Sequence, residues 1–326
     1  MSRKSLCVAM LVVVLSLGMA LPAFAQGDDL LCNGLDEADC ALLMKAQAAS
    51  EDLQVFSMPY WHINFNFETE DEAVAFDSFG SGAIALTEDM SDPVTVHLDI
   101  EDAMIDTSTE TESGSAEFLL LDEMFYIRLD DVWYGGPMDM MDMETGDMGD
   151  MEDMEDMFGD MFEGMDIDDP FSMIEFADTV LTTRLADDEL HGQDMAVFET
   201  EIGIPELVAA LLTSPLTGAF LGEGGFEADG IEPEDVEMLS LMIAPMLGET
   251  SLTMQQWVGL DDNMLHKVNV DMVLDLNLRL LAPEIGELAG EMSLSVEMDD
   301  FGVMPELTAP EEYEPLPEAE FEGFVL

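Results

Sequence analysis

Apolar and polar side chains alternate through much of this chain, most clearly between Ser251 and Leu280. Leu252, Met254 and Gln256 alternate with their neighbours up to Trp257, and Gly259 to Asn263 supplies turn chemistry. His266, Val268, Val270, Met272, Leu274, Leu276 and Leu278 then recur at every second position, while Lys267, Asn269, Asp271, Asp275 and Asn277 fall mainly on the other side. A period of two with one apolar face predicts two strands joined by a tight turn, the second one long and buried on one side.

The same period appears elsewhere. From Tyr60, Trp61, Ile63, Phe65 and Phe67 alternate with His62, Asn64, Asn66 and Glu68. Further strands are predicted at Gly82–Thr87, Val94–Ile100, Ala116–Leu121, Phe125–Leu129, Val132–Tyr134, Val180–Leu185 and Met195–Ile202, with a last one marked by Met292, Leu294, Val296 and Met298. Short polar connections between them imply an antiparallel meander rather than βαβ units. Helical patterns interrupt the series. Asp36 to about Leu53 places Leu42, Leu43 and Ala46 on one side, with acidic residues suited to a first turn. Phe171–Val180, Pro205–Leu212 (proline at its first position) and Glu234–Leu247 are the other helical candidates. Beyond Phe301 the proline-rich tail is expected to run extended along the surface.

Two stretches belong to neither pattern. Residues 1–25 read as a secretory signal peptide: Arg3 and Lys4, an apolar run from Leu6 to Leu21, and a small-x-small site at Ala23–Ala25. Cleavage there leaves one domain over 26–317 with no membrane-spanning segment, a tail at 318–326, and a secreted, periplasmic or cell-envelope location. Residues 137–169 form an insertion of Asp-Met, Glu-Asp-Met and Gly-Asp-Met units. Its ten methionines and fourteen acidic residues between Met138 and Asp169 favour a solvated tract. Carboxylates make divalent cations a candidate partner there, and thioether sulfur makes Cu(I) another.

Charge then narrows the function classes. Seven basic residues face 74 acidic ones, a formal net charge of −67, which excludes a basic surface for nucleic acid or anionic lipid headgroups. Export leaves two cysteines, Cys32 and Cys40, for which a disulfide is the expected state in an oxidising compartment. No glycine-rich phosphate loop, G-x-S-x-G elbow, HExxH or CxxC motif is present, and His62, His97, His191 and His266 are scattered over separate elements. A non-enzyme without a cofactor is the reading. Large soft side chains on the strands suggest instead a cavity for a lipid or other apolar ligand, lined by Trp61, Phe65, Phe67, Phe118, Trp257, Val268 and Val270. The competing reading is an acidic surface or matrix protein with a structural sheet core and cation-binding carboxylates.

Four segments carry a family resemblance. EMFYIRLDDVWY (Glu123–Tyr134), ADDELHGQDMAVFETEI (Ala186–Ile202), WVGLDDNMLHKVNVDM (Trp257–Met272) and MSLSVEMDDFGVMPELTAP (Met292–Pro310) resemble, in order, motifs of the LolA-like superfamily, specifically the exported LppX/LprG-like lipoproteins. The resemblance implies an α+β fold: a strongly curved antiparallel β-sheet (half-barrel) with helices covering the concave face and acylated lipids held between them. The chain departs from the LprG pattern in lacking a lipobox cysteine and in carrying the Met/Asp insertion.

Overall fold

The computed structural model describes residues 30–51, 53, 55–69, 73–85, 95–107, 111–121, 124–129, 131–137, 179–205, 246–277 and 286–315. The helical candidates at 171–180, 205–212 and 234–247, the signal peptide, the body of the insertion and the 318–326 tail lie wholly or almost wholly outside them.

After a 3-10 turn at Leu30–Cys32 comes α1, Glu37–Glu51. Asp36 caps it, its Oδ1 accepting from the backbone N–H of Ala38 and Asp39 at 2.9 and 3.0 Å. These are donors that a helix start otherwise leaves unsatisfied. The Cys32–Cys40 disulfide ties the turn to the first helical turn, with a Cα–Cα distance of 5.1 Å.

Among the described residues, thirteen strands come after the helix. They are β1 Val55–Thr69, β2 Ala73–Ala85, β3 Thr95–Thr107, β4 Thr111–Leu121, β5 Met124–Leu129, β6 Val132–Pro137, β7 Val180–Arg184, β8 Asp188–Leu190, β9 Gln193–Gly203, β10 Ser251–Gly259, β11 Leu265–Asn277, β12 Glu287–Asp299 and β13 Glu314–Pro315. All join one open, curved sheet in the order β13-β6-β5-β4-β3-β2-β1-β12-β11-β10-β9-β7, with β8 paired to β9. Every pairing is antiparallel except that of β13 on β6. The meander is therefore observed, with β12 folded back beside β1.

Several strands are longer than the alternation predicts, because bulges interrupt the phase that marks them. β1 carries an extra residue around Pro59–Tyr60, and β3 carries one at Glu101, against both neighbours in each case. A row of bulges crossing adjacent strands bends a sheet and increases its twist. Gly80 sits on that row, where an added Cβ would lie 1.9 Å from the Asp99 carbonyl oxygen and 2.8 Å from the Trp61 ring. The indole fills the space above it and donates from Nε1 to the Ser81 carbonyl at 3.2 Å.

Open sheets need guarded edges. At one end the turn before α1 binds β7: the Thr182 N–H donates to the Asn33 carbonyl, and the Asn33 side chain donates to the Val180 carbonyl. At the other end β13 pairs with β6, and Tyr313 packs edge-on against Tyr126 at 5.2 Å. The proline-bearing tail from Phe301 thus runs from the central β12 to the far edge.

Candidate functional site on the inner face

Cross-strand register sorts the side chains into two faces. The face that α1 packs against, through Leu43 and Ala46, is the inner one. Across it, Trp61, Val296, Val268, Gln256 and Phe198 are successive neighbours in a single row, and all five are buried. The next row, Ile63, Leu294, Val270, Met254 and Thr200, is buried except for half-exposed Val270. One step further, Phe65, Met292, Met272, Leu252 and Ile202 are all half-buried, as are Phe67 and Leu274 beyond them.

Burial thus falls off along the strands while apolar character does not. A sheet face that merely ended at the core edge would turn polar where burial fell. Here it stays aromatic and methionine-rich: Phe65 stacks on Phe76 at 5.0 Å and tilts against Phe67 at 5.4 Å. Phe67 in turn lies over Gly290, whose missing side chain leaves it room. An added Cβ there would meet the ring at 2.2 Å.

Six of the seven residues singled out from the sequence share this face. Trp61 and Val268 are sealed in the core. Phe65, Phe67 and Val270 belong to the half-buried band, and half-buried Phe118 lies on the same face three strands away, opposite Leu98 and Ile127. Trp257 is on the other side of the sheet. Its cross-strand neighbours are Lys267 and Val197, and it packs with Met195. There its Nε1 donates to Asp188 at 3.1 Å, and the Lys267 ammonium lies 5.3 Å from the ring centroid. That hydrogen bond, the Glu189 backbone N–H and the Lys267 charge hold the Asp188 carboxyl below the usual carboxylate range.

The seven leave out the residue of this face whose chemistry stands apart from its row. Gln256 keeps step with Leu252 and Met254, so the only available signal in the sequence is a polar side chain in the apolar phase. It is 1% exposed, and neither Nε2 nor Oε1 has a hydrogen-bond partner. Among the described residues no other buried side chain is left so. Ser78 donates to the Asp102 carbonyl at 3.1 Å, and Thr182 and Thr200 bond each other at 3.0 Å. An unsatisfied buried polar group costs about 1–3 kcal/mol.

No group of three or more His, Cys, Asp or Glu among the described residues is arranged to hold a metal ion. No helix among them is long and apolar enough to cross a membrane. His266 donates to or accepts from Asp262 at 2.9 Å and stands edge-on to Phe301, a pairing that fixes the β10–β11 turn.

No family model and no curated protein matches the chain. Among solved structures it is similar to the Mycobacterium tuberculosis lipoprotein LppX, at 11% identity over 84% of this chain and 100% of that one, with a TM-score of 0.33. It is similar to LprF from Mycobacterium bovis at 14% identity, covering 83% and 95% with a TM-score of 0.35, and to MucB at 12%, covering 85% and 65% with a TM-score of 0.29. Overlap at this level transfers no function. Any functional reading has to come from the side chains of this sheet.

Proposed function

We propose that the chain is an exported, non-enzymatic binding or carrier protein that holds a lipid or lipid-like molecule against the inner face of its sheet. One observation carries the reading: the half-buried apolar band of Phe65, Phe67, Val270, Met272 and Met292, which extends the sealed core without turning polar. Each square ångström of alkyl surface covered there contributes about 25 cal/mol. Flexible methionines and tilted aromatic rings adapt to chains of differing shape. The helices expected over a concave face would supply the opposite wall, and the Cys32–Cys40 disulfide accords with an oxidising, extracytoplasmic setting.

The test is extraction and mass spectrometry of protein purified without detergent, then refilling with a bromine-labelled acyl lipid. Co-purified lipid, and stronger bromine quenching of Trp61 than of Trp257, are the expected results. Lipid-free protein whose tryptophans are quenched equally, or not at all, would remove the reading.

A further inference from the structure

The unpartnered carboxamide of Gln256 lies in the fully buried row of the inner face, between Val268 on one neighbouring strand and Phe198 on the other. Its Nε2 can donate two hydrogen bonds and its Oε1 can accept two. Every other buried polar side chain named on this face is satisfied by a backbone carbonyl or by another hydroxyl. A group that needs a donor and an acceptor at one spot, inside an apolar surface, is complementary to a small polar head on a greasy molecule.

We propose that Gln256 is the polar anchor of the inner-face site, and that the ligand it selects is a neutral amphiphile presenting an acceptor and a donor side by side, as a fatty amide or a monoacylglycerol does. This rests on the lipid-holding reading above and specifies its substrate class. The amide or ester carbonyl accepts from Nε2, and the ligand N–H or hydroxyl donates to Oε1. The alkyl part lies along the strands over Met254, Val270 and Leu294 and reaches the half-buried band at Leu252 and Phe65. Gln256 and Leu252 are four residues apart on β10, a span of about 14 Å at strand rise.

Charge decides against an ionised fatty acid. A carboxylate offers no donor to Oε1 and would carry its charge into a site of low dielectric. The basic residue at the end of the row, Arg184, is the cross-strand neighbour of Phe198 and is already held by Asp39 at 3.4 Å and by Asp187. No cation in the row is left to neutralise the carboxylate.

Four probes of equal chain length separate these ideas: oleamide, 1-monoolein, methyl oleate and 1-octadecene, each displacing Nile red from the delipidated full mature chain. Oleamide and monoolein are expected to displace the dye at concentrations on the order of tenfold lower than octadecene, the worth of about one buried hydrogen bond. Methyl oleate, which offers only the acceptor, falls between. Gln256→Met, close to isosteric, is expected to erase the ranking while octadecene still binds. Gln256→Asn, with the amide withdrawn by one methylene, is expected to narrow it. An unchanged ranking in Gln256→Met, or octadecene binding with no ranking in the unsubstituted chain, overturns the anchor and leaves the lipid-holding reading standing. Failure of all four probes to displace the dye overturns both.

Discussion

Gln255 and Gln256 are the same residue one position apart, and the sheet gives them opposite circumstances. Gln255 points to the outer face, where its Nε2 donates to the Glu199 carboxylate at 2.6 Å. Gln256 points inward between Val268 and Phe198, and its carboxamide has no hydrogen-bond partner. The two faces differ in the same way throughout. Outside, the few basic and imidazole groups are clamped to carboxylates: His62 to Asp77 at 3.0 Å, His97 and Arg128 to Glu117 at 2.9 and 2.8 Å, Lys267 and His191 to Glu297 at 3.0 and 3.1 Å. Inside, among the described residues, every buried polar side chain but that of Gln256 has a hydrogen-bond partner. The outer face is organised by charge pairing in water. The inner face is organised by exclusion of water, so a polar group without a partner there calls for an explanation.

The largest expected effect lies with the two tryptophans that mark the faces. Trp61→Ala should destabilise the fold by about 3–5 kcal/mol, because the ring is wholly buried and fills the space over Gly80. Trp257→Ala should cost less, since its ring packs against a small outer cluster rather than the main core. Chemical denaturation of both variants checks the order. A larger loss at Trp257 would reverse the assignment of which face is the core.

The adjacent glutamines should respond with opposite signs. Gln256→Met removes an unsatisfied buried amide and is expected to raise stability by about 1–3 kcal/mol. Gln255→Met breaks a half-buried bond to a charged acceptor and is expected to lower it by about 1 kcal/mol. Destabilisation by Gln256→Met would mean that the amide has a structural partner in the native state. Stabilisation together with a lost ligand preference is the pattern of a site that gives up stability for function.

How far the sequence reaches can be traced along the same strands. Period-two alternation locates β1, β11 and β12, and Asp36 with its following acids locates α1, because each depends on neighbours in the chain. It under-reads β2, whose start at Ala73–Ala75 has small side chains. It also stops short in β3, where the extra residue at Glu101 shifts the inward set from Ile100 to Ala103. In β11 the bulge against Trp257–Val258 makes Leu265 and His266 both buried, which alternation cannot represent. Trp257 and Val268 group together in the sequence because both are large and apolar. Trp257 is out of phase with Leu252, Met254 and Gln256, and its pairing with Lys267, like that of Val268 with Gln256, puts the two on opposite faces. The empty hydrogen-bond capacity of Gln256 is a property of three strands at once and has no local trace.

The smallest expected effect concerns the outer face alone and tests whether Trp257 is held as described. Hydrogen bonds from the Trp257 indole and the Glu189 backbone, with the charge of Lys267, hold the Asp188 carboxyl below its ordinary range. Because the folded-state pKa is the lower one, the stabilising contribution is fully present above the unfolded carboxylate value of about 3.9 and is lost as pH falls through the folded value. The Trp257 indole N–H resonance should therefore hold its position down to that pH and shift only below it, while the Trp61 indole, bonded to the Ser81 carbonyl, should not follow. Asp188→Asn should remove the transition, since the amide oxygen still accepts but does not titrate. A Trp257 shift centred above the ordinary carboxylate value would mean that the indole does not stabilise the charged form. The outer face would then lack the pairing that distinguishes it from the inner one at this point.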